Sequence, residues 1–489
     1  MENKQEIFSV LGQFNSWWNG SAVLELPNWK RGAFHEIQEW LKNPPAHRAL
    51  MISGARQVGK TTLMLQAIQK LIAEGIAPSN ILYVTFDHPL FKGITIDALL
   101  RLWREFEPAK SGPEYLFLDE IQMVDDWQIW LKHQVDFEKG RRRIAVTGSV
   151  LPLNISSQES GMGRWVTLTL PTLSFYEYMQ LRKMPLLKSA SLGSFSEALE
   201  WNQAKWMKVA EEAKYLTGHF HEYILRGGFP QSALVESIPM AQKLLREDIL
   251  DKVLKRDMTA FFGVRNILEM EQVFLYLCLH DGGLLDIPEI CKSLELKRPT
   301  VSHFIDLFES IHLIYRLLPF GYGKQVLRAR AKVYLADPAL APSILLKGKS
   351  LLEDPASLGN AVEATFYKHI FNRYNNHNIK FGYWRSKKDQ EVDIVAEMEN
   401  EAIPFEVKYR RSGNTGSGEL KGLAEFMTEH QCKRGYVITR EWNDFGLVEG
   451  DGKVKKIGKE KPTAKVLKIP APLACYWLGA MQGNEVALL

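Results

Sequence analysis

Apolar residues in the first third of this chain fall into short, nearly unbroken runs separated by stretches with helical spacing. Residues 49–53, 81–87, 115–120, 143–147 and 165–170 read as strands, the first four as buried, mostly apolar ones. Residues 63–72 repeat apolar positions at helical intervals, and Gly75 and Pro78 end that helix. Strands alternating with helices predict an α/β fold: a mostly parallel sheet with helices on both faces and ligands bound at the strands' carboxyl ends. Ahead of this core, Phe14 and the pair Trp17-Trp18 read as a packing anchor. From Tyr176 to Pro230 the pattern turns helical. Residues 286–294 and 298–308 then read as two short helices joined by 295–297, with Ile287, Ile290, Val301, Ile305 and Phe308 as a small core. Two strands, 314–318 and 333–336, follow. Near the C-terminus, 381–385, 391–396, 403–408 and 435–439 are further strands, and residues 359–363 open an amphipathic helix.

The chain has 489 residues, too many for one ordinary core, and is 46% hydrophobic and 24% charged, as expected of a globular protein with several domains. A formal charge of +4 neither requires nor excludes nucleic acid, so any basic surface must be local. The cysteines, Cys278, Cys291, Cys432 and Cys475, are far apart, which argues against a zinc site or a disulfide frame. No apolar run reaches membrane-spanning length and the N-terminus lacks the shape of a signal peptide, so a cytoplasmic protein with no membrane partner is expected.

Between strand 49–53 and helix 63–72 lie Gly54, Ala55, Arg56, Gln57, Val58, Gly59, Lys60, Thr61 and Thr62, which match the phosphate-binding pattern G-x-x-x-x-G-K-[ST]. A strand, a glycine-bearing loop and a helix start aim backbone N–H groups and a positive helix end at a phosphate. ATP is the expected ligand, with Lys60 on its β- and γ-phosphates and Thr61 on Mg²⁺. Strand 115–120 ends in Asp119 and Glu120, a pair suited to holding the Mg²⁺ shell and to activating water. That pair disfavours a small-molecule kinase, for which no acceptor pocket is evident. At the end of strand 143–147, Thr147 and Ser149 are both candidates to sense the γ-phosphate. Arg164 follows the polar loop 154–160; it reads either as a γ-phosphate contact within or between subunits or as a structural arginine.

A second constellation lies near the C-terminus. Asp393 on one strand and Glu406 and Lys408 on the next are joined by an acidic hairpin, and period-two geometry puts Glu406 and Lys408 on one face. With Glu363 on the upstream helix, these residues resemble the PD-(D/E)XK nuclease signature. Glu363, Asp393 and Glu406 are the expected Mg²⁺ ligands and Lys408 the residue assisting water. In the helix pair, Lys297, Arg298, Thr300, Ser302 and His303 would face a DNA groove, and Lys324, Arg328, Arg330 and Lys332 suit phosphate contact from a wing-side loop. Asp306 and Glu309 on the same helix weigh against this. The lysine-rich stretch 453–468 reads as a solvated hairpin, with a weak phosphate contact as the alternative.

The run from Gly54 to Thr62, Phe117-Leu-Asp-Glu-Ile-Gln122, Thr147-Gly-Ser149, Leu173-Ser-Phe with Glu177, Gly227-Gly-Phe-Pro230 and Leu254-Lys-Arg-Asp257 together resemble the bacterial and archaeal AAA-like ATPases with a C-terminal domain of unknown function. The resemblance spans nearly the whole chain. It implies an anchor at 1–45, a P-loop ATPase core at 46–175, a helical lid at 176–265, a winged helix at 266–345 and a nuclease-like α/β domain at 346–489. The expected function is an ATPase whose nucleotide state controls a winged-helix and nuclease-like module acting on DNA or RNA. The alternative is a signalling-type ATPase whose end domain is an inert platform for a protein partner. A homo-oligomer is compatible with both.

Overall fold

The computed structural model describes residues 2–21, 23, 25–44, 47–138, 140–150, 163–187, 195–324, 326, 329–375, 377, 379–399, 401–410, 420–448 and 464–480. They form two compact units: Met1–Pro171 with Ser310–His312, and Thr172–Glu309 with Leu313–Leu489. Among the described residues, no helix is long and apolar enough to cross a membrane.

The first unit is built on strands β1 (Ala49–Ser53), β2 (Ile81–Thr85), β3 (Glu114–Asp119), β4 (Arg142–Gly148) and β5 (Trp165–Thr169), ordered β2-β3-β4-β1-β5 and parallel throughout. Parallel neighbours require crossovers, and the helices Lys60–Ala73, Ile96–Phe106 and Trp127–Phe137 provide them. β1 and β3 are buried at every position, so both sheet faces are covered. On one face Met51, Val84, Leu116, Leu118 and Val146 pack with Leu99, Trp103 and Leu131 of the crossover helices.

The N-terminal helix Glu2–Phe14 and the turn after it close the β2 edge. Asn15 does this as a surrogate strand residue: its Nδ2 donates to the Tyr83 carbonyl at 2.8 Å and its Oδ1 accepts the Tyr83 N–H at 2.7 Å. Trp18 adds a bond from Nε1 to the Ile81 carbonyl at 3.0 Å. The tryptophan pair thus works beside Asn15, which covers the edge's polar groups.

The second unit begins with helices, among them Phe175–Leu181, Gln203–Ala213, Leu216–Arg226 and Ile238–Arg246. The helices Ile267–Leu279, Ile287–Leu294 and Arg298–Ser310 follow, then an antiparallel pair, β6 (Ile314–Leu317) and β7 (Lys332–Leu335). Ile290, Val301, Ile305 and Phe308 are fully buried between these elements, while Ile287 is half-buried. The long helix Pro355–Tyr374, capped by Asp354, leads into a mixed sheet of β8 (Lys380–Arg385), β9 (Glu391–Glu397), β10 (Ala402–Lys408), β11 (Arg434–Thr439), β12 (Gly446–Leu447) and β13 (Lys465–Pro470). Its order is β12-β13-β11-β10-β9-β8. The lysine-rich stretch expected as a hairpin is described only in its last part. Lys465 and Lys468 belong to β13, which pairs with β11 and β12, and residues 453–463 lie outside the described residues.

Candidate functional site

Because β4 lies between β3 and β1, the ends of these three strands bring their terminal side chains to one place. Thr61, in the first turn of the helix after β1, donates its hydroxyl to Asp119 Oδ2 at 2.7 Å. Thr147 at the end of β4 donates to Asp119 Oδ1 and accepts the Glu120 N–H at 3.0 Å. Glu120 has φ 53° and ψ 47°, a left-handed conformation that costs a non-glycine residue about 1–2 kcal/mol and needs such a tether. Gln122 donates to the Glu120 carboxylate and to Ser149 Oγ, the latter at 3.0 Å. Of the two candidate sensors, Thr147 therefore touches both carboxylate residues directly, and Ser149 is tied to Glu120 through Gln122.

The loop itself is a cradle. A Cβ added at Gly54 would lie 2.2 Å from the Leu170 carbonyl oxygen, and Gly59 caps the helix at φ 99°. Lys60 is 5% exposed and folds back to donate to the Gly54 and Ala55 carbonyls at 2.8 and 2.9 Å. Burial lowers its pKa, against the opposing pull of Glu120 and Asp119. One hydroxyl and one carboxylate, Thr61 and Asp119, fit a Mg²⁺ that keeps waters and phosphate oxygens as its remaining ligands.

Sequence reasoning missed several supports of this site. Tyr83 donates its hydroxyl to Asp119 Oδ2 at 3.0 Å. Arg31 holds the Val58 and Pro171 carbonyls at 3.1 and 2.6 Å. His312 Nε2 lies 2.8 Å from Ser53 Oγ, and burial, then Lys60, pushes its pKa down to about 3. Only Gln122 carried a signal, its place in the Asp-Glu-Ile-Gln run.

Arg164 does not join this site. Its carbonyl accepts the Ala49 N–H at 2.9 Å, which puts it at the amino ends of β1 and β5, and its guanidinium pairs with Asp136 at 3.0 Å. The loop starts at the other end of β1, about 13 Å away at the rise of a parallel strand. Its guanidinium is thus engaged by Asp136 at the end of the sheet away from the loop. The loop 154–160 lies outside the described residues.

In the second unit, strand pairing and the helix Pro355–Tyr374 assemble the other constellation. Asp393 Oδ2 accepts the Val407 N–H at 2.8 Å, and Lys408 bonds Glu406 Oε1. Glu363 accepts the Tyr334 hydroxyl at 2.7 Å. Lys332 enters the same cluster. Its ammonium lies 3.2 Å from Glu363, 3.4 Å from Asp393 and 2.5 Å from Glu391. Burial works against its charge, but these carboxylates outweigh burial and raise its pKa.

Burial first and Asp393 second push Glu363 up to about 7 and Glu406 up to about 8, with Lys332 and Lys408 respectively opposing. Among the described residues, no three His, Cys, Asp or Glu side chains are arranged to hold a metal ion. As folded, Glu363 and Asp393 are paired with the Lys332 ammonium and Glu406 with Lys408, so the expected Mg²⁺ ligand set of Glu363, Asp393 and Glu406 already faces two cations of the protein's own.

The expected wing-side phosphate contacts differ from one another. Lys332 is a buried strand residue, Arg330 pairs with Asp286, Lys324 is exposed, and Arg328 lies outside the described residues. On the helix Arg298–Ser310, Arg298 and His303 are exposed, as is Lys297 just before it, while Thr300 and Ser302 are half-buried. Asp306 and Glu309 are both paired with Arg316.

Residues 46–179 match the model of an AAA domain. That match supports an AAA-like ATPase. Beyond the AAA-like domain, residues 217–350 and 358–457 match two domains of unknown function, DUF8612 and DUF4143. An uncharacterized protein of Haemophilus influenzae is 28% identical over 378 residues, 75% of this chain and 83% of its own. An uncharacterized protein of Methanocaldococcus jannaschii is 24% identical over 404 residues, 81% of this chain and 82% of its own. Among solved structures, AMPPCP-bound DnaA from Aquifex aeolicus is similar with a TM-score of 0.25 and 16% identity, covering 58% of this chain and 89% of that one. A DNA polymerase III gamma subunit-related protein from Thermotoga maritima gives a TM-score of 0.24 and 14% identity, covering 57% of this chain and 97% of that one.

Proposed function

We propose that the AAA-like domain binds ATP along Gly54–Thr62 and hydrolyses it to ADP and phosphate. The observation that carries this reading is the meeting of Thr61, Asp119, Thr147 and the Glu120 backbone at the ends of three adjacent strands. Glu120 would orient the attacking water and take its proton, held in place by Thr147 and Gln122. Lys60 would exchange the Gly54 and Ala55 carbonyls for phosphate oxygens and regain the full benefit of its charge. Mg²⁺ on Thr61 and Asp119 would supply charge compensation across the phosphates. Lys60→Ala should abolish binding of a fluorescent ATP analogue; retained wild-type affinity would remove the loop from the site.

Winged-helix and nuclease-like folds are our reading of the second unit, with nucleotide state controlling what it engages. Exposed Lys297, Arg298 and His303 support nucleic-acid contact. For the nuclease-like part, Lys332 among the carboxylates favours the platform reading, in which this part binds a partner without cleaving a phosphodiester. Supercoiled plasmid incubated with Mg²⁺ or Mn²⁺, with and without ATP, separates the two. Cleavage lost in both Asp393→Ala and Lys408→Ala would restore the nuclease, and intact plasmid throughout supports the platform. The same preparation, assayed for ATPase stimulation by DNA and RNA, tests the nucleic-acid contact.

A further inference from the structure

We propose that Lys332 is the resident cation of the Glu363, Glu391 and Asp393 carboxylates beside Glu406, an internal ammonium occupying the place that a divalent metal would otherwise take. The inference rests on the nuclease-like reading of this part of the second unit.

Lys332 is not a surface side chain that has swung inward. It is 4% exposed and begins β7, which is bonded on two sides. One side pairs with β6. On the other, the Leu285 N–H reaches the Ala331 carbonyl at 2.7 Å, the Gly282 N–H reaches the Val333 carbonyl at 2.8 Å, and the Val333 N–H reaches the Gly283 carbonyl at 3.0 Å. The Leu335 N–H adds a bond to Asp281 at 2.8 Å. Strand alternation puts Lys332 and Tyr334 on one face, and both bond Glu363. Backbone pairing therefore delivers this ammonium into the cluster.

The cluster still holds a buried polar atom without a partner. Glu406 is 5% exposed, and its Oε2 is buried without a hydrogen-bond partner, while its Oε1 is taken by Lys408. Four carboxylates, Glu363, Glu391, Asp393 and Glu406, thus face two ammoniums. Removing Lys332 takes the ammonium from Asp393 Oδ1 and Glu391 Oε1 beside the already unpartnered Glu406 Oε2, a carboxylate set that suits a hard divalent cation. Removing it also costs the paired carboxylates their counter-charge, so the vacated place should draw in a metal or protons.

The test is a Mn²⁺ titration of the nucleotide-free full chain, followed by the loss of the free-ion EPR signal. Wild type and Asp393→Asn should give superimposable curves, showing no Asp393-dependent site. Lys332→Ala, and Lys332→Met as the variant that keeps core volume, should gain a Mn²⁺ site at least about tenfold tighter than any in wild type, as carboxylate charge count dictates. Adding Asp393→Asn to either should remove it. An Asp393-dependent Mn²⁺ site of equal affinity in wild type overturns the inference and leaves the nuclease-like reading standing. Lys332 variants that fold, by circular dichroism, yet gain no site overturn both. If neither variant folds, the comparison of wild type with Asp393→Asn decides alone.

Discussion

Thr147→Val is the sharpest probe of the hydrolytic arrangement, because valine keeps the shape of threonine and deletes one hydroxyl. That hydroxyl donates to Asp119 Oδ1 and accepts the Glu120 N–H at 3.0 Å. A hydrogen bond to a charged carboxylate contributes about 2 kcal/mol and a neutral one about 1 kcal/mol, so roughly 3 kcal/mol is at stake. Glu120, at φ 53°, also loses the tether that holds its left-handed backbone. If the loss falls on the transition state, kcat drops on the order of 100-fold, at 1.36 kcal/mol per tenfold. Lys60 and the loop are untouched, so affinity for ATP should change little. Steady-state phosphate release gives kcat, and a fluorescent ATP analogue gives the affinity. A kcat within about twofold of wild type would refute the positioning role, since the removed bonds would then contribute nothing to turnover.

Two further predictions follow from the geometry. Gly54→Ala places a Cβ 2.2 Å from the Leu170 carbonyl oxygen, a backbone atom beside β1, so the loop must shift at a cost of about 1–3 kcal/mol. ATP affinity should fall at least about tenfold, and a calorimetric titration matching wild type would show the cradle to be looser than described. Glu406, pushed up to about 8, keeps a proton in the folded state that the unfolded chain releases near 4.5. Stability from this group should therefore fall as pH rises between those values and level off above them, and Glu406→Gln should flatten the pH dependence of Tm between about pH 4.5 and about pH 8. Parallel profiles for the two proteins would contradict that.

The parts that were legible in the sequence are those that local order specifies. The apolar runs of β1, β3 and β4, the glycine spacing of the loop and the Asp119-Glu120 pair each carry their own signal. Arg164 was half legible. A residue just ahead of a strand lies at the amino end of a parallel sheet, away from the ligand, and that argument alone weighs against a γ-phosphate contact. The choice between Thr147 and Ser149 required the strand order, because only placing β4 between β3 and β1 puts Thr147 against Asp119. Lys332 was hidden by distance along the chain. Its neighbours Arg330 and Lys324 suggested a basic loop, whereas its partners Glu363 and Asp393 lie 31 and 61 residues away. His312 and Ser53 are 259 residues apart, beyond the reach of any periodicity. Asn15 and Tyr83 likewise meet only after β2 becomes an edge.

Glu120→Gln tests the central claim most directly, because it removes a base while keeping size and hydrogen-bonding capacity. The account predicts wild-type ATP affinity with turnover lowered by at least about 100-fold in a phosphate-release assay, within the range expected for losing a general base. Hydrolysis by Glu120→Gln at the wild-type rate would contradict it.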